Sequence, residues 1–343
     1  MTLQSMGAVG AKNNGKNGVS ADEMSSWKAS RRSGLGALYR KEMADHIKGR
    51  RFLIILLLVA VTTAAGIYGA ATGMKDALEA DSHFVFLKLY TTGGSSVPSY
   101  VSFMALIGPF VGLMLGFDAV NSERSNGTLG RLLAQPIYRD NVIIGKFLAG
   151  TVLIAILTAA SSILTGAAGF LTTGLLPSGE ELARVLVYIV CTILYIGFWL
   201  SVAIMFSVFC RHAATSALAS IAVWVIFAVF ISLLAGFFAG VIYPVETDYQ
   251  KAVNALANYN CQLYINRISP YYLYTEAVSS ILNPAIRSVN AVTVSQLVGA
   301  ISGYLPFTQS LMLVWPHLFG LASLTMLAFL ISYVKFMRQE VRN

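Results

Sequence analysis

Few residues of this 343-residue chain are of a type and spacing that could do chemistry. Gly10-Ala11-Lys12-Asn13-Asn14-Gly15-Lys16-Asn17 comes close to the phosphate-loop pattern G-x-x-x-x-G-K-[ST]. That loop needs an apolar strand before it and a hydroxyl at its last position to hold Mg²⁺. Here the last residue is Asn17 and no apolar strand precedes Gly10, so any ATP must be bound by another chain. His46, His83, His212 and His317 lie in four separate regions, and no metal site is expected. Cys191, Cys210 and Cys261 have no CxxC spacing and do not make a disulfide framework. The charge-dense stretch from Asp118 to Lys146 is different. It holds Glu123, Arg124, Gly127 and an apolar face of Leu129, Leu132 and Leu133 at helical spacing. The short helix ends before Gln135-Pro136, because the residue preceding a proline disfavours the α region. An apolar knob on a charged loop can dock a partner protein, or can pack back onto its own loop.

The elements that position this loop follow from composition. The chain is 56% hydrophobic and 12% charged, with mean hydropathy +0.67. Soluble domains carry about 25% charged residues. A soluble enzyme, a disordered protein and a disulfide-rich secreted domain are therefore excluded. Six stretches of 18 residues or more lack Asp, Glu, Lys and Arg: 52–74, 89–117, 147–179, 185–210, 212–245 and 288–334. Roughly 20 apolar residues cross a bilayer as a helix, and these stretches lack the alternation of a β-barrel. The expectation is an all-α polytopic membrane protein with six transmembrane helices, at about 52–74, 100–119, 142–173, 182–209, 213–243 and 311–334. Trp315 and Pro316 fit the start of the last helix. Residues 288–309, with Asn290, Gln296 and Pro306, read as a surface or re-entrant segment.

Six spans place both termini on one side. That side carries 18 of the 24 basic residues and the other side 6, which makes it cytoplasmic. The net charge of +8 is thus a topology signal, and no nucleic-acid partner is implied. The first apolar run starts at position 52 and is too long for a signal peptide. Residues 1–33 read as a disordered cytoplasmic tail. Residues 34–51 form an amphipathic elbow helix, with Arg40, Glu42 and Lys48 beside Leu38, Met43 and Ile47, lying on the inner leaflet. Residues 52–343 are the six-helix transmembrane domain. Its extracellular region, 244–309, is rich in tyrosine, as membrane interfaces are. Asp118 and Arg184 lie near helix ends, from which they can reach water, and no charge is expected at mid-depth. The small residues from Thr158 to Gly169 suit close helix packing.

The loop and its surroundings resemble the type-2 ABC transporter permeases. Phe117-Asp118, Glu123, Gly127-Thr128-Leu129, Leu132-Leu133, Gln135-Pro136 and Gly145-Lys146 look like that family's signature. Tyr39-Arg40-Lys41-Glu42 with Arg50-Arg51-Phe52 resembles its usual start. Ile268-Ser269-Pro270-Tyr271-Tyr272-Leu273-Tyr274-Thr275-Glu276-Ala277 resembles the segment before its last helix. The resemblance covers about residues 36–342 and is nearest to permeases of copper-enzyme (nitrous-oxide reductase) maturation and sodium export. It implies a permease subunit of an ATP-driven exporter, in the plasma membrane and without a catalytic site of its own. Two permease copies would pair, and ATPase subunits holding ATP and Mg would dock on a coupling helix in the 118–146 loop. Glu123, Arg124 and Leu132 would make contact, while Pro270, Tyr271, Tyr272 and Glu276 would belong to an extracellular gate. A secondary transporter or channel is the alternative, although such proteins usually show polar or broken midplane helices. A membrane protease would need paired catalytic residues at one depth, and none is visible.

Overall fold

The computed structural model describes residues 21–80, 83–128, 130, 138–174, 176–288 and 303–338, with side chains from residue 34 onward. The described residues contain helices and no strand. In chain order the helices are α1 (Ala21–Lys48), α2 (Arg50–Ala80), α3 (Val85–Thr91), α4 (Tyr100–Gly116), α5 (Asn121–Ser125), α6 (Arg139–Thr173) and α7 (Gly179–Phe209). Then come α8 (Ala213–Val225), a π turn (Ile226–Phe230), α9 (Ile231–Ile242), α10 (Asp248–Asn266), α11 (Pro270–Leu282) and α12 (Phe307–Arg338).

Six helices among the described residues are long and apolar enough to cross a membrane: α2, α4, α6, α7, α8 through α9, and α12. They match the six expected spans. The edges differ where capping outweighs hydropathy. α7 begins at Gly179 because Ser178 and Glu181 form a capping box, Ser178 Oγ accepting from the Glu181 amide and Glu181 Oε2 from the Ser178 amide. α6 ends at Thr173, as expected, and is capped by Gly174, whose φ of 70° is the left-handed conformation of a helix C-terminus. α12 starts at Phe307 rather than near Leu311, so Pro316 is interior to the helix and not in its first turn. Ser310, in the added first turn, accepts a bond from the buried Arg184.

Two further expectations are corrected. Residues 21–33 are helical and continuous with the elbow, where a disordered tail was expected; the Gly- and Asn-rich composition stops before Ala21, and Ala, Glu, Met, Lys and Arg favour helix. Residues 1–20 and 289–302 lie outside the described residues. Arg184 does not reach water but is fully buried. It donates to the Ile281 and Leu305 carbonyls, to Ser310 and to Glu180, and its guanidinium lies over the Phe84 ring. A buried guanidinium is tolerable when every N–H finds an acceptor, and this one clamps α7, α11 and α12 together.

α7 is the central rod, packed against α4, α6, α8, α11 and α12. The closest approach is made by Gly108, Gly112 and Gly116, four residues apart on α4. A Cβ at Gly112 would stand 2.5 Å from the Ile196 carbonyl oxygen, and one at Gly116 2.8 Å from the Ala203 Cβ. Small residues at this spacing let two membrane helices touch backbone to backbone. Replacing Gly112 with Val should therefore cost about 1–3 kcal/mol by overpacking. Gly197→Ala, on α7 where an added Cβ meets no atom within 4 Å, should be neutral. Thermal midpoints of the two purified variants in detergent test the contrast.

Candidate functional site

One end of the bundle gathers the end of α1, the starts of α2 and α6, the end of α7, and α5. Here Lys146, two turns into α6 and 5% exposed, is shared by two carboxylates. Its Nζ lies 2.9 Å from Glu42 Oε2 of α1 and 2.9 Å from Glu123 Oε1 of α5. Both carboxylates are buried. One cation between two anions leaves a net negative charge, and Lys41 cancels it from the solvent side, 2.9 Å from Glu42 and 3.0 Å from Glu123. Burial pushes the Lys41 amine down, but the hydrogen bonds and charges of Glu42 and Glu123 together outweigh it and hold the amine well above the usual lysine range. Glu123 Oε2 is buried without a hydrogen-bond partner.

A second tie lies alongside. Arg51, at the start of α2, pairs with Asp118, and its guanidinium sits 5.1 Å from the Phe117 ring centroid. α5 is also stitched to the end of α7. The Val120 and Asn121 amides donate to Ser207 Oγ at 2.9 and 3.2 Å, and Arg124 Nη1 donates to the Cys210 carbonyl at 3.4 Å. With its side-chain nitrogen turned inward, Asn121 donates to the Ser207 and Cys210 carbonyls as well. Gly127 closes the turn after α5 at φ 64°, a conformation that glycine adopts without steric cost. Between these ties opens a chamber of about 710 Å³, its walls including Asp45, His46, Arg51, Asp118 and Glu123. Burial lowers the His46 pKa below its ordinary value, with Glu42, Asp118 and Asp45 opposing and Lys146 adding to the shift.

The loop residues expected to meet a partner therefore separate. Glu123 faces inward and holds the loop to the bundle. Arg124 is half-buried, and Gly127 is exposed. Leu129, Leu132, Leu133, Gln135 and Pro136 lie outside the described residues. Of the elbow residues, Glu42 joins the cluster, while Arg40 and Lys48 are exposed on α1. The sequence places Glu123 and Lys146 in one motif and Glu42 in another, and neither motif shows that the three meet.

At the other end, Glu276 of α11 gathers a guanidinium and an imidazole. Arg267, at the end of α10, grips it through Nε (3.0 Å) and Nη2 (2.7 Å), and His317 Nε2 of α12 lies 2.7 Å from Oε2. Burial raises the Glu276 carboxyl, yet the bonds from His317 and Arg267 together hold it below its ordinary value. Pro270 is the first residue of α11 and is buried, and Tyr271 and Tyr272 are half-buried beside it. His317, about three turns into a membrane-length helix, was missed because a lone histidine carries no spacing signal.

The family description "ABC-2 family transporter protein" matches residues 36–341, nearly the whole chain. The chain belongs to the ABC-2 transporter family. It is similar to the probable ABC transporter permease protein NosY of Pseudomonas aeruginosa, at 32% identity over 121 residues, 35% of this chain and 39% of that protein. It is also similar to the protein of the same description from Stutzerimonas stutzeri, at 29% identity over 119 residues, 34% and 38% of the two chains. Each match thus spans about two-fifths of the relative's length.

Lys146→Met should lower stability by about 3–5 kcal/mol, because it leaves two buried carboxylates with one exposed counter-ion. Adding Glu42→Gln should recover part of that loss; thermal unfolding of the single and double variants checks it. His46 sets a second expectation. Its folded pKa lies below its unfolded value of about 6.5, so the unfolded chain binds the proton first and stability falls as pH drops below about 6.5. His46→Gln should flatten the decline in thermal midpoint just below pH 6.5.

Proposed function

We propose that this chain is the membrane-spanning permease subunit of an ATP-driven exporter, with no catalytic site of its own. A separate ATPase subunit binds and hydrolyses ATP with Mg. Two permease copies pair, both termini face the cytoplasm of a plasma-membrane-spanning assembly, and transport proceeds by alternating access. Family membership supports the class, and the relatives described as probable ABC transporter permeases support the subunit role. The observation that carries the mechanism is the Glu42–Lys146–Glu123 cluster. It ties the loop at once to the elbow and to α6, and Ser207 ties the same loop to α7. A push on this loop is a push on three membrane-length rods, since α1 runs into α2 at Gly49. In this reading Leu129, Leu132 and Leu133, at helical spacing in the sequence, dock the ATPase, and Arg124 of the same loop contributes to the contact.

The Arg267–Glu276–His317 group favours a second reading, a secondary transporter or channel, because ionisable residues within membrane bundles often mark ion paths. The two readings separate in one set of experiments. A tag on this chain should co-purify a P-loop ATPase from native membranes. In the reconstituted complex, Glu123→Ala or Leu132→Ala should cut transport at least about tenfold, around 1.4 kcal/mol of coupling, while ATP hydrolysis persists. Transport that stops when ion gradients collapse, but not when ATP is withdrawn, would favour the second reading.

A further inference from the structure

The fifth membrane-length helix is two elements joined at its middle. α8 packs on α7 and α4, and Val223, Trp224 and Phe227 lean on the main core. Beyond the π turn the packing changes. α9 packs on α10, and α10 finds its main packing on α9. None of the residues of α9 or α10 belongs to the main core or packs against it. They have a small core of their own: Ala235, Ala239 and Leu263 are buried, and Asn258 donates to the Ala239 and Tyr243 carbonyls at 2.9 and 2.7 Å. The arm starts from a capped corner, where Thr247 and Gln250 form a capping box and Asn254 donates to the Pro244 carbonyl. α11 is the opposite case. It packs on α12, α7, α4 and α3, and Arg184 binds its last turn.

The change of allegiance falls at one depth. The π turn spans Ile226–Phe230, and Ser269, between α10 and α11, donates from Oγ to the Phe227 carbonyl at 2.6 Å. Both ends of the arm therefore meet where this hydrogen bond and the packing of α11 on the π turn pin them. A π turn interrupts the regular i→i−4 ladder and is a recurrent site of bending at functional positions. Beyond the pin, Arg267 on Glu276 is a polar tie from the arm's end to the bundle, and Glu276 keeps His317 when Arg267 lets go. The carboxylate is then still hydrogen-bonded, so release does not strand a bare buried charge.

We infer that α9 and α10 form a rigid arm that swings about the π turn and Ser269 while α11 stays with the bundle. The Arg267–Glu276 pair is its catch. Hinge motion of this kind places the φ/ψ change in a few residues and leaves the packed parts intact. The arm's existence does not depend on the transport reading; its use would be to open and close the end of the bundle at which Glu276 lies.

The test uses the full chain in lipid nanodiscs, with Cys191→Ala, Cys210→Ser and Cys261→Ser removing native thiols. Spin-label pairs then read pulsed-resonance distances. Val253 with Leu186 measures arm against bundle, Leu234 with Val253 measures within the arm, and Ser279 with Leu186 measures α11 against the bundle. The arm–bundle distribution should be at least about twofold broader than the other two. Ser269→Ala and, independently, Arg267→Gln should broaden or shift it further while leaving the other two unchanged. An arm–bundle distribution as narrow as the others and unmoved by both substitutions would overturn the inference. So would an α11–bundle distance that shifts together with the arm.

Discussion

A charge taken out of water inside an apolar bundle must find its counter-charge there, and this constraint organises the molecule. Lys146 lies two turns inside a membrane-length helix, where an unpaired ammonium would cost several kcal/mol. It is tolerated because an elbow helix and a loop each bring a carboxylate within 2.9 Å. The cation thereby fixes where α1 and α5 sit relative to α6. Arg184 and Glu276 obey the same rule at the other end, each binding groups from several elements.

Between these charged knots the bundle is held by shape. The glycines of α4 let α7 approach to backbone distance, and α7 in turn receives α6, α11 and α12. A rod so enclosed can transmit displacement with little loss, because close-packed interiors hold few voids to absorb it. The loop at α5 is bonded to the end of this rod through Ser207. The arm of α9 and α10 lacks such enclosure, and its apolar residues, among them Leu233, Phe237 and Val241, are exposed on the chain itself. In a membrane that surface faces lipid or a second subunit.

Much of this was legible in the amino-acid order. Hydropathy located six spans, since an apolar run of bilayer length has few other uses in water. The family's motifs singled out Glu42, Glu123, Lys146 and Glu276. The partnership of those residues was not legible. Glu42 and Lys146 stand 104 positions apart, and no local spacing rule reaches that far. The expectation that Arg184 would reach water failed for a related reason. Its position near a helix end suggested solvent, but the carbonyls of Ile281 and Leu305 close over it.

The sequence alone determined the solvent this chain lives in and the number of its rods, because burial of apolar surface follows composition and needs no partner to be named. Local capping groups, Ser178 with Glu181 and Gly174, set the ends of two rods. Tertiary structure decided which charges meet, where the fifth rod breaks and which half of it belongs to the bundle. Those outcomes depend on distances between segments far apart in the chain. Charge pairing and packing act through space, and only the folded arrangement supplies that geometry.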